Sequence, residues 1–405
     1  MTHAQAAALQ AERAARASYG RLLAILAAQS GDIELAEDCL ADAFQRALAT
    51  WPESGVPENP EGWLLTTARN RRRDVLKSAA YRTWVPVDAA PHDALVTIDD
   101  IDADATPDRR LALLFVCAHP AIAADIRTPL MLQAVLGFEA VQIAQAFLIR
   151  PSTMAQRLVR AKRRIRAARI PFIVPDSVRM PARLPAVLEA IYGAYAIEWP
   201  VVAGTSVRES LAFEAHYLAV TLAELLDDEP EAHGLAALIS LSLSRTNARG
   251  SPDQFIPLEE QDTARWNKDL IAQGERHLRR AHALGKIGRF QLEAAIQSVH
   301  CARAVTGVTD WQALRRLYTA LVASAPTLGA RVARAAAIGR ADGAACGLAA
   351  LDEIQDVEVQ RFQPAWATRA HLLAELGRTQ EAAQARAKAI SLTTEPAVRR
   401  YLERL

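Results

Sequence analysis

The chain has 405 residues and a formal net charge of +1, so it is not a global polycation and its basic residues must act locally. Alanine and leucine are abundant and glycine is sparse, a composition that favours an all-α fold of two or three domains. The four cysteines are scattered without a CxxC pair, which argues against a disulfide framework. Because no apolar run reaches about 18 residues and no basic-then-apolar leader is present, we expect a soluble, cytoplasmic protein without a membrane partner.

Two helices are predicted at the N-terminal end. Residues 1–30 place apolar side chains on one side of a helix and arginines on the other, and Ser30-Gly31 ends this helix. Asp32 is a favourable N-cap for a second helix over 33–50, which Trp51-Pro52 ends.

The second helix carries an acidic row. Glu34, Asp38 and Asp42 recur at intervals of four without matching lysines, and like charges at this spacing destabilise a helix. Two interpretations stay open: the row is solvated, or it binds a basic partner surface.

A proline-rich loop over 53–61 precedes a third helix that begins at Trp63. This helix carries a cluster of polar and basic residues: Arg69, Asn70, Arg71, Arg72, Arg73 and Lys77. Trp51 and Trp63 are either core aromatics or, beside this cluster, suited to stack on unpaired bases while the basic residues hold the strand's backbone.

From Pro86 to Asp108 aspartates are frequent and helical periodicity is lost, which indicates a linker. Helices are predicted over 111–117 and 129–136. They lead into Phe138–Arg169, whose pattern is typical of a helix-turn-helix.

The first helix of this motif has an apolar face formed by Val141, Ile143, Ala144, Phe147 and Leu148. Pro151 opens the second helix, a favoured position for proline. The buried stripe predicted for the second helix is Met154, Leu158, Ala161 and Ile165. Arg157, Arg160 and Arg164 recur on another face, with Thr153 and Gln156 ahead of them. Such a helix reads base edges with its first turns and holds phosphates with its arginines; the alternative is a solvated basic face on a core helix.

Residues 183–405 are helical in pattern and nearly balanced in charge. Trp366–Leu392 resembles a tetratricopeptide unit with its turn at Gly377-Arg378, and Leu328–Leu351 is a weaker copy with its turn at 339–343. One clear unit and one weak unit favour a stacked helical array.

The sequence offers little evidence for a catalytic site or a metal-binding site. Cys117 with His119, and His300 with Cys301, are the neighbouring Cys/His pairs, and they lie too far apart in sequence to predict a four-ligand zinc site. No phosphate-binding glycine loop or hydrolase motif occurs. We therefore expect no enzymatic activity, no metal and no cofactor.

Several of these segments together resemble a known family. The stretches GDIELAEDCLADAFQRAL, GWLLTTARNRRRDVL and STMAQRLVRAKRRIR, in this order, resemble the two conserved domains of bacterial extracytoplasmic-function (ECF) sigma factors, the promoter-recognition subunits of RNA polymerase. The C-terminal half resembles the helical, tetratricopeptide-like extension of one subgroup, with PARLPAVLEAIYGAY and PLEEQDTARWNKDLI among the matching pieces. The resemblance implies a region 2 domain over 1–82, an acidic linker over 83–107, a region 4 domain over 108–172 and an extension over 180–405.

The resemblance also implies partners and contact residues. Bacterial core RNA polymerase would bind the acidic helix through Glu37, Asp38, Asp42 and Phe44. The −10 promoter element would be recognised and opened by Asn59, Trp63, Arg69, Asn70, Arg71, Arg73 and Lys77. The −35 element would be read by Ser152, Thr153, Gln156, Arg157, Arg160 and Arg164. A protein or peptide ligand would bind the extension, which would modulate activity.

Two departures and two alternatives accompany this interpretation. The segment Tyr192–Trp199 stands where the subgroup generally has an Asn-Glu-Gly-Tyr-like segment, so any signalling by this segment between the extension and the sigma domains is not carried over. Arg150-Pro151 stands where the family usually has a small polar N-cap or a proline, so promoter preference is not carried over. One alternative is a helix-turn-helix regulator with a helical sensor domain, which would bind duplex DNA without polymerase. The other is an interaction scaffold that supports no transcription.

Overall fold

The computed structural model describes residues 18–83, 106–196, 205–249 and 254–404. Within these ranges every regular element is a helix and no strand occurs, so the predicted all-α class is confirmed. The chain divides into two compact units, 1–218 and 219–405.

The described helices of the first unit are α1 (18–30), α2 (Ile33–Ser54), α3 (Pro60–Thr83), α4 (Thr106–Cys117), α5 (Ala124–Ala134), α6 (Ala140–Ala146), α7 (Pro151–Ala167), α8 (Leu184–Ala196) and the first part of α9 (Thr205–Leu225). The linker predicted over 83–107 lies largely outside the described residues. The core of the unit forms where α2 packs on α3 and where α5 packs on α4, α6, α7 and α8.

The start of α2 was predicted correctly, whereas its predicted end was wrong. Asp32 accepts a hydrogen bond from the Leu35 amide at 3.2 Å, as an N-cap does. The helix does not stop at Trp51-Pro52 but runs to Ser54. Trp51 is fully buried and anchors the last turn. Gly55 then ends the helix with a φ of +82°, a conformation that glycine adopts without strain.

Where the helix-turn-helix is predicted, two helices, α6 and α7, are joined by a four-residue turn, and the assignment of this segment as a DNA-binding motif stays a prediction. Pro151 occupies the first turn of α7 as predicted, and the four residues of the predicted stripe are buried: Met154, Leu158, Ala161 and Ile165. The first helix is shorter than predicted, because it ends at Ala146. Leu148 therefore lies in the turn with a φ of +53°, and its side chain is 95% exposed instead of belonging to the apolar face.

The compact-unit boundary differs from the domain boundary predicted at residue 180. Helix α8 packs against α4 and α5, and the buried Arg183 just before it donates to the Phe115 carbonyl at 3.4 Å. The first part of α9 joins α4 through an ion pair between Arg110 and Glu214. Helix α8 and the part of α9 around Glu214 thus share a core with the preceding helices.

The described helices of the second unit after α9 are α10 (Pro230–Leu243), α11 (Lys268–Ala283), α12 (Arg289–Thr306), α13 (Trp311–Ser324), α14 (Leu328–Asp342), α15 (Ala344–Asp352), α16 (Gln363–Glu375), α17 (Thr379–Leu392) and α18 (Pro396–Arg404). Helix α10 is buried along its whole length and is covered by α11 and α12. The Glu231 carboxylate on α10 accepts the Phe290 and Gln291 amides at 2.9 and 3.1 Å, which satisfies the N-terminus of α12.

The two helices of the predicted C-terminal repeat are α16 and α17, and Gly377 forms their turn with a φ of +74°. The weaker copy is the pair α14 and α15, joined at Gly343. Membership of the tetratricopeptide family stays a prediction. In the part of the chain described, no helix is long and apolar enough to cross a membrane.

We expect Gly347→Ala to lower the stability of the α14–α15 pair by about 1–3 kcal/mol, because its Cβ would lie 2.6 Å from the Gly339 Cα and the backbones must separate. Gly329→Ala on α14 is the matched control, since the atom nearest its Cβ lies 3.9 Å away. The control should be neutral or stabilising by up to about 1 kcal/mol. Thermal unfolding of the full chain followed by circular dichroism compares them, and equal melting temperatures would contradict the close approach.

Candidate functional site

One face of α3 gathers four of the predicted contact residues. Trp63, Asn70 and Lys77 are seven residues apart and form a line along the helix, and Arg73 lies beside them. Asn70, Arg73 and Lys77 are exposed, and the Arg73 guanidinium donates to the Asn70 side-chain oxygen at 3.3 Å. The opposite face of α3 is buried and contains Leu64, Leu65, Ala68 and Arg72. We call the four exposed-side residues Trp63, Asn70, Arg73 and Lys77 the α3 row.

The two tryptophans have different roles. Trp51 is 2% exposed and belongs to the core, so it does not stack on bases. Trp63 is half-buried and meets the edge of Trp51 with ring centroids 5.5 Å apart at 66°. This contact holds the Trp63 ring in place while leaving part of it accessible at the head of the α3 row.

Three further residues predicted for this site lie outside the α3 row. Arg69 is half-buried at its edge. Arg71 lies on the side of α3 that faces α2, with its Nε 3.6 Å from the Asp42 carboxylate. Asn59 accepts the Gly62 amide at 2.8 Å and so caps α3. A run of consecutive basic residues is thus divided among three sides of one helix.

On α7 the predicted reading residues divide in a similar way. Four of them share the exposed side of the helix: Ser152, Gln156, Arg160 and Arg164. We call these four the α7 row. Thr153 is half-buried, and the Arg157 guanidinium lies 3.2 Å from the Asp125 carboxylate of α5. The α7 row presents a polar start followed by cations, the order suited to bases and then phosphates.

The acidic helix α2 does meet a basic surface, and that surface belongs to the same chain. The Arg166 guanidinium donates to Asp32 at 2.9 Å, and the Arg163 Nε lies 3.5 Å from Glu34. Both contacts are to α7, so Glu34 of the predicted acidic row meets a basic helix of the same chain.

The central contact between α2 and α7 is a buried ion pair. The Lys162 ammonium donates to both carboxylate oxygens of Glu37 at 2.6 and 2.7 Å. The Lys162 side chain is 6% exposed and that of Glu37 is 21% exposed. Burial raises the pKa of the Glu37 carboxyl above its usual value, while the charge and hydrogen bond of Lys162 oppose that rise. The short distances and double hydrogen bond compensate for removing both charges from water.

The remaining residues predicted to bind polymerase differ in accessibility. Asp38 is exposed and Phe44 is half-buried. Asp42 pairs with Arg46 at 2.8 Å in addition to Arg71. On the acidic face of α2, Asp38 is therefore exposed to solvent, whereas Glu34 and Asp42 on either side of it form ion pairs.

Sequence reasoning missed the role of Lys162, which it counted only as one of the basic residues of the second helix. The position carried a signal, because Lys162 follows Leu158 by four residues and precedes Ile165 by three, on the border of the buried stripe. A lysine at that border needs an acidic partner, and Glu37 lies 125 residues earlier.

Comparisons with known proteins agree with parts of this picture. The family Sigma-70 region 2 matches residues 15–82, and the Family of unknown function DUF6596 matches residues 183–282. An uncharacterised protein of Rhizobium meliloti is 33% identical over 381 residues, covering 92% of this chain and 89% of that protein. The probable ECF RNA polymerase sigma factor SigI of Mycobacterium tuberculosis is 33% identical over 145 residues, covering 35% of this chain and 49% of its own length. No solved structure matches the chain significantly.

If Asn59 acts as a cap, Asn59→Ala should destabilise the first unit by about 1 kcal/mol, whereas Asn59→Asp should retain the hydrogen bond and remain close to the parent protein. The exposed neighbour Glu58→Ala serves as the control. Thermal unfolding of the full chain measures the three variants. Equal losses for the alanine and aspartate variants would show that Asn59 does not act as a cap.

Proposed function

We propose that the chain is a sigma factor that directs core RNA polymerase to specific promoters for transcription initiation. The match of residues 15–82 to Sigma-70 region 2 and the 33% identity over 145 residues to a probable ECF RNA polymerase sigma factor support this proposal. The observation that carries the proposal is the α3 row, which lies inside the segment that matches Sigma-70 region 2. An aromatic ring, an amide and two cations along one accessible helix face are the groups that capture a single strand.

At the −10 element, the proposed action is strand capture. The exposed part of the Trp63 ring stacks on an unpaired base, and Asn70, Arg73 and Lys77 contact the backbone and base edges beside it. Such a surface binds unpaired bases better than paired ones, so the free energy of binding assists duplex opening. Arg69 adds charge at the edge of this surface. Arg71 has a structural role toward α2.

At the −35 element, α6 and α7 act as a helix-turn-helix. The α7 row enters the major groove, where Ser152 and Gln156 contact base edges and Arg160 and Arg164 contact phosphates. Thr153 and Arg157 lie at the border of this surface and assist it once Arg157 leaves Asp125.

Core polymerase binds α2 on the face that contains Asp38, Asp42, Phe44 and Glu37. The extension modulates these activities through a protein or peptide ligand on its helical surface. The protein carries out no bond-making chemistry, because its contribution is recognition and strand capture.

Run-off transcription tests the proposed function. Purified core polymerase and fragmented genomic DNA are combined with the full chain or with a chain ending at residue 226. That end is chosen because a cut at residue 175 would remove Arg183 and α8 from the core of the first unit. We expect discrete transcripts with the full chain, and a changed yield with the shorter chain if the extension regulates.

Two results would contradict this proposal. Tight binding to duplex promoter DNA without polymerase, and no transcripts, would favour a conventional regulator. Binding neither to DNA nor to core polymerase would favour a scaffold. Equal transcription with the full chain and with the shorter chain would contradict only the proposed regulation by the extension.

Arg160→Ala is expected to weaken promoter binding by the polymerase complex and to lower the salt slope of log affinity by about 0.9, because one phosphate contact is lost. Arg279→Ala on α11 is the matched control, since its side chain is 68% exposed and lies far along the chain from the α7 row. Promoter affinity at several salt concentrations measures both variants. An unchanged salt slope of promoter affinity for Arg160→Ala would show that Arg160 does not contact a phosphate.

A further inference from the structure

The described part of the segment that joins α10 to α11 contains no α-helix and lies against later helices of the second unit. Residues 254–257 have no regular structure, and short 3₁₀ turns follow at Leu258–Glu260 and Thr263–Arg265. The segment contacts α12, α14 and α18, three helices that come after it in the chain. We call residues 255–260 the strap. The strap thus lies across several helices of the extension, as an added peptide would.

Two arginines hold the strap. The Arg303 guanidinium of α12 donates to the main-chain carbonyl of Glu259 and, at 2.9 Å, to that of Gln261. The Arg340 guanidinium of α14 donates to the Glu259 carboxylate at 2.7 Å. One arginine therefore binds through backbone groups that every peptide has, and the other binds a negative charge.

Helix α18 adds an aromatic contact to the strap. Phe255 meets the edge of Tyr401 with ring centroids 5.3 Å apart at 65°. The Tyr401 hydroxyl donates to the Glu260 carboxylate at 3.4 Å. The side chains that this surface recognises are thus an aromatic ring at one end and carboxylates at the other. We call the surface formed by Arg303, Arg340 and Tyr401 the strap face.

The residues that follow the strap are anchored, whereas the strap itself is accessible. Trp266 is 3% exposed, and the Asn267 amide donates to the Ser244 carbonyl at 2.8 Å. Phe255, by contrast, is 38% exposed, and the Glu259 side chain is 50% exposed. The strap can therefore separate from its face while the anchored residues stay in place.

The two arginines have other partners besides the strap. Arg303 lies over the Trp266 ring and Arg340 over the Trp311 ring, each 5.1 Å from the ring centroid. Arg340 also lies 3.4 Å from the Glu375 carboxylate. Removal of the strap therefore leaves both cations partnered, and the strap face keeps them in position for another ligand.

We propose that the strap face binds an extended acidic peptide of a partner protein, and that the strap occupies this face until the peptide displaces it. The peptide presents an aromatic side chain and, four residues later, a carboxylate, as the strap does. This inference names a ligand class for the extension, so it rests on the part of the proposed function that gives the extension a peptide ligand. Because the strap is covalently linked, its effective concentration is high, and the apparent affinity for an added peptide is lowered.

Two chains with matched changes test the displacement. The strap-weakened chain combines Phe255→Ala with Glu259→Gln, which removes the aromatic contact and the charge that Arg340 binds. The control chain combines Val357→Ala with Glu353→Gln, an exposed apolar residue and an exposed acid elsewhere in the extension. Neither pair of changes alters the strap face. Circular dichroism verifies that both chains fold.

The first measurement is the affinity of each full-length chain for a labelled synthetic peptide with the sequence of residues 254–262, followed by fluorescence anisotropy. We expect the strap-weakened chain to bind this peptide about tenfold more tightly than the parent and the control chain, because its own strap competes less. Equal affinity of the three chains, or no binding by the strap-weakened chain, would overturn the proposal.

Two further variants show whether the peptide binds at the strap face. A peptide with glutamine in place of both glutamates should bind the strap-weakened chain about tenfold more weakly, because Arg340 no longer meets a carboxylate. Arg340→Gln in the strap-weakened chain should weaken binding of the original peptide by a similar factor, whereas Arg279→Gln on α11, the control, should not. Binding that is insensitive to these changes would overturn the assignment of the peptide to this face.

The second measurement follows the strap itself. Spin labels at Gln254→Cys and Lys388→Cys, both exposed, are combined with Cys346→Ser, because Cys346 is exposed and the other three cysteines are buried. We expect a narrow distance distribution for the labelled chain alone and a broad one when the peptide is in excess. A broad distribution without peptide would overturn occupation of the face by the strap. A narrow distribution that bound peptide leaves unchanged would overturn the displacement.

A second copy of this chain is the other occupant that these chains can reveal. If parent chains exchange straps, analytical ultracentrifugation shows a dimer that the strap-weakened chain does not form, and this result would overturn the proposal of an external peptide. A parent chain that sediments as a monomer agrees with the proposal.

These measurements separate failure of this inference from failure of the proposed function, because none of them contains polymerase. Peptide binding at the strap face without transcripts from the full chain would contradict the promoter function alone. Transcripts from the full chain without peptide binding would contradict this inference alone.

Discussion

The burial of the Lys162 ammonium against Glu37 is the constraint on which the first unit depends. Two charges removed from water lose several kilocalories per mole of solvation each, and they recover this only when short hydrogen bonds join them. The bidentate contact at 2.6 and 2.7 Å meets that condition. Because the pair tolerates little displacement, it fixes the rotation of α7 about its own axis.

On helix α3, burial gives neighbouring residues different roles. Arg71, Arg72 and Arg73 are consecutive, yet one faces Asp42, one is buried and one joins the exposed row. A helix turns about 100° per residue, so neighbouring arginines cannot share a face. The seven-residue spacing of Trp63, Asn70 and Lys77 is what makes a continuous surface. The residue types of the basic cluster on α3 determine its charge, whereas helical geometry determines which of its residues share a face.

Local signals were sufficient for a large part of the fold. The Asp32 cap, the start of α7 at Pro151 and its buried stripe each depend on residues within a few positions of one another, and the structure confirms them. One error arose where contacts between residues distant in sequence determined the structure, and the other where a local turn was missed. Burial of Trp51 carries α2 past Pro52, and the tight turn after Ala146 turns Leu148 to solvent.

The candidate site was less predictable than the fold, for a related physical reason. The sequence contained every residue of the α3 and α7 rows, but it could not separate them from Asn59, Arg71 and Arg157, which are engaged in a cap and two ion pairs. The acidic row on α2 was left with two interpretations, since the partner of Glu34 lies on α7 and that of Asp42 lies partly on α3. Contacts across such separations depend on which helices pack together, and that information is not local.

Helix α5 connects these observations within the first unit. It packs on α7, its C-terminal end lies beside Gly20 of α1, and α8 packs on it from the segment matched by the family of unknown function. The first helix of that segment therefore shares a neighbour with the buried ion pair and with the glycine contact. Packed helices transmit displacement because their interiors are dense and not freely deformable. A shift of α8 must move α5 or open a gap against it, and a shift of α5 acts on both contacts that hold α1 and α2 in place.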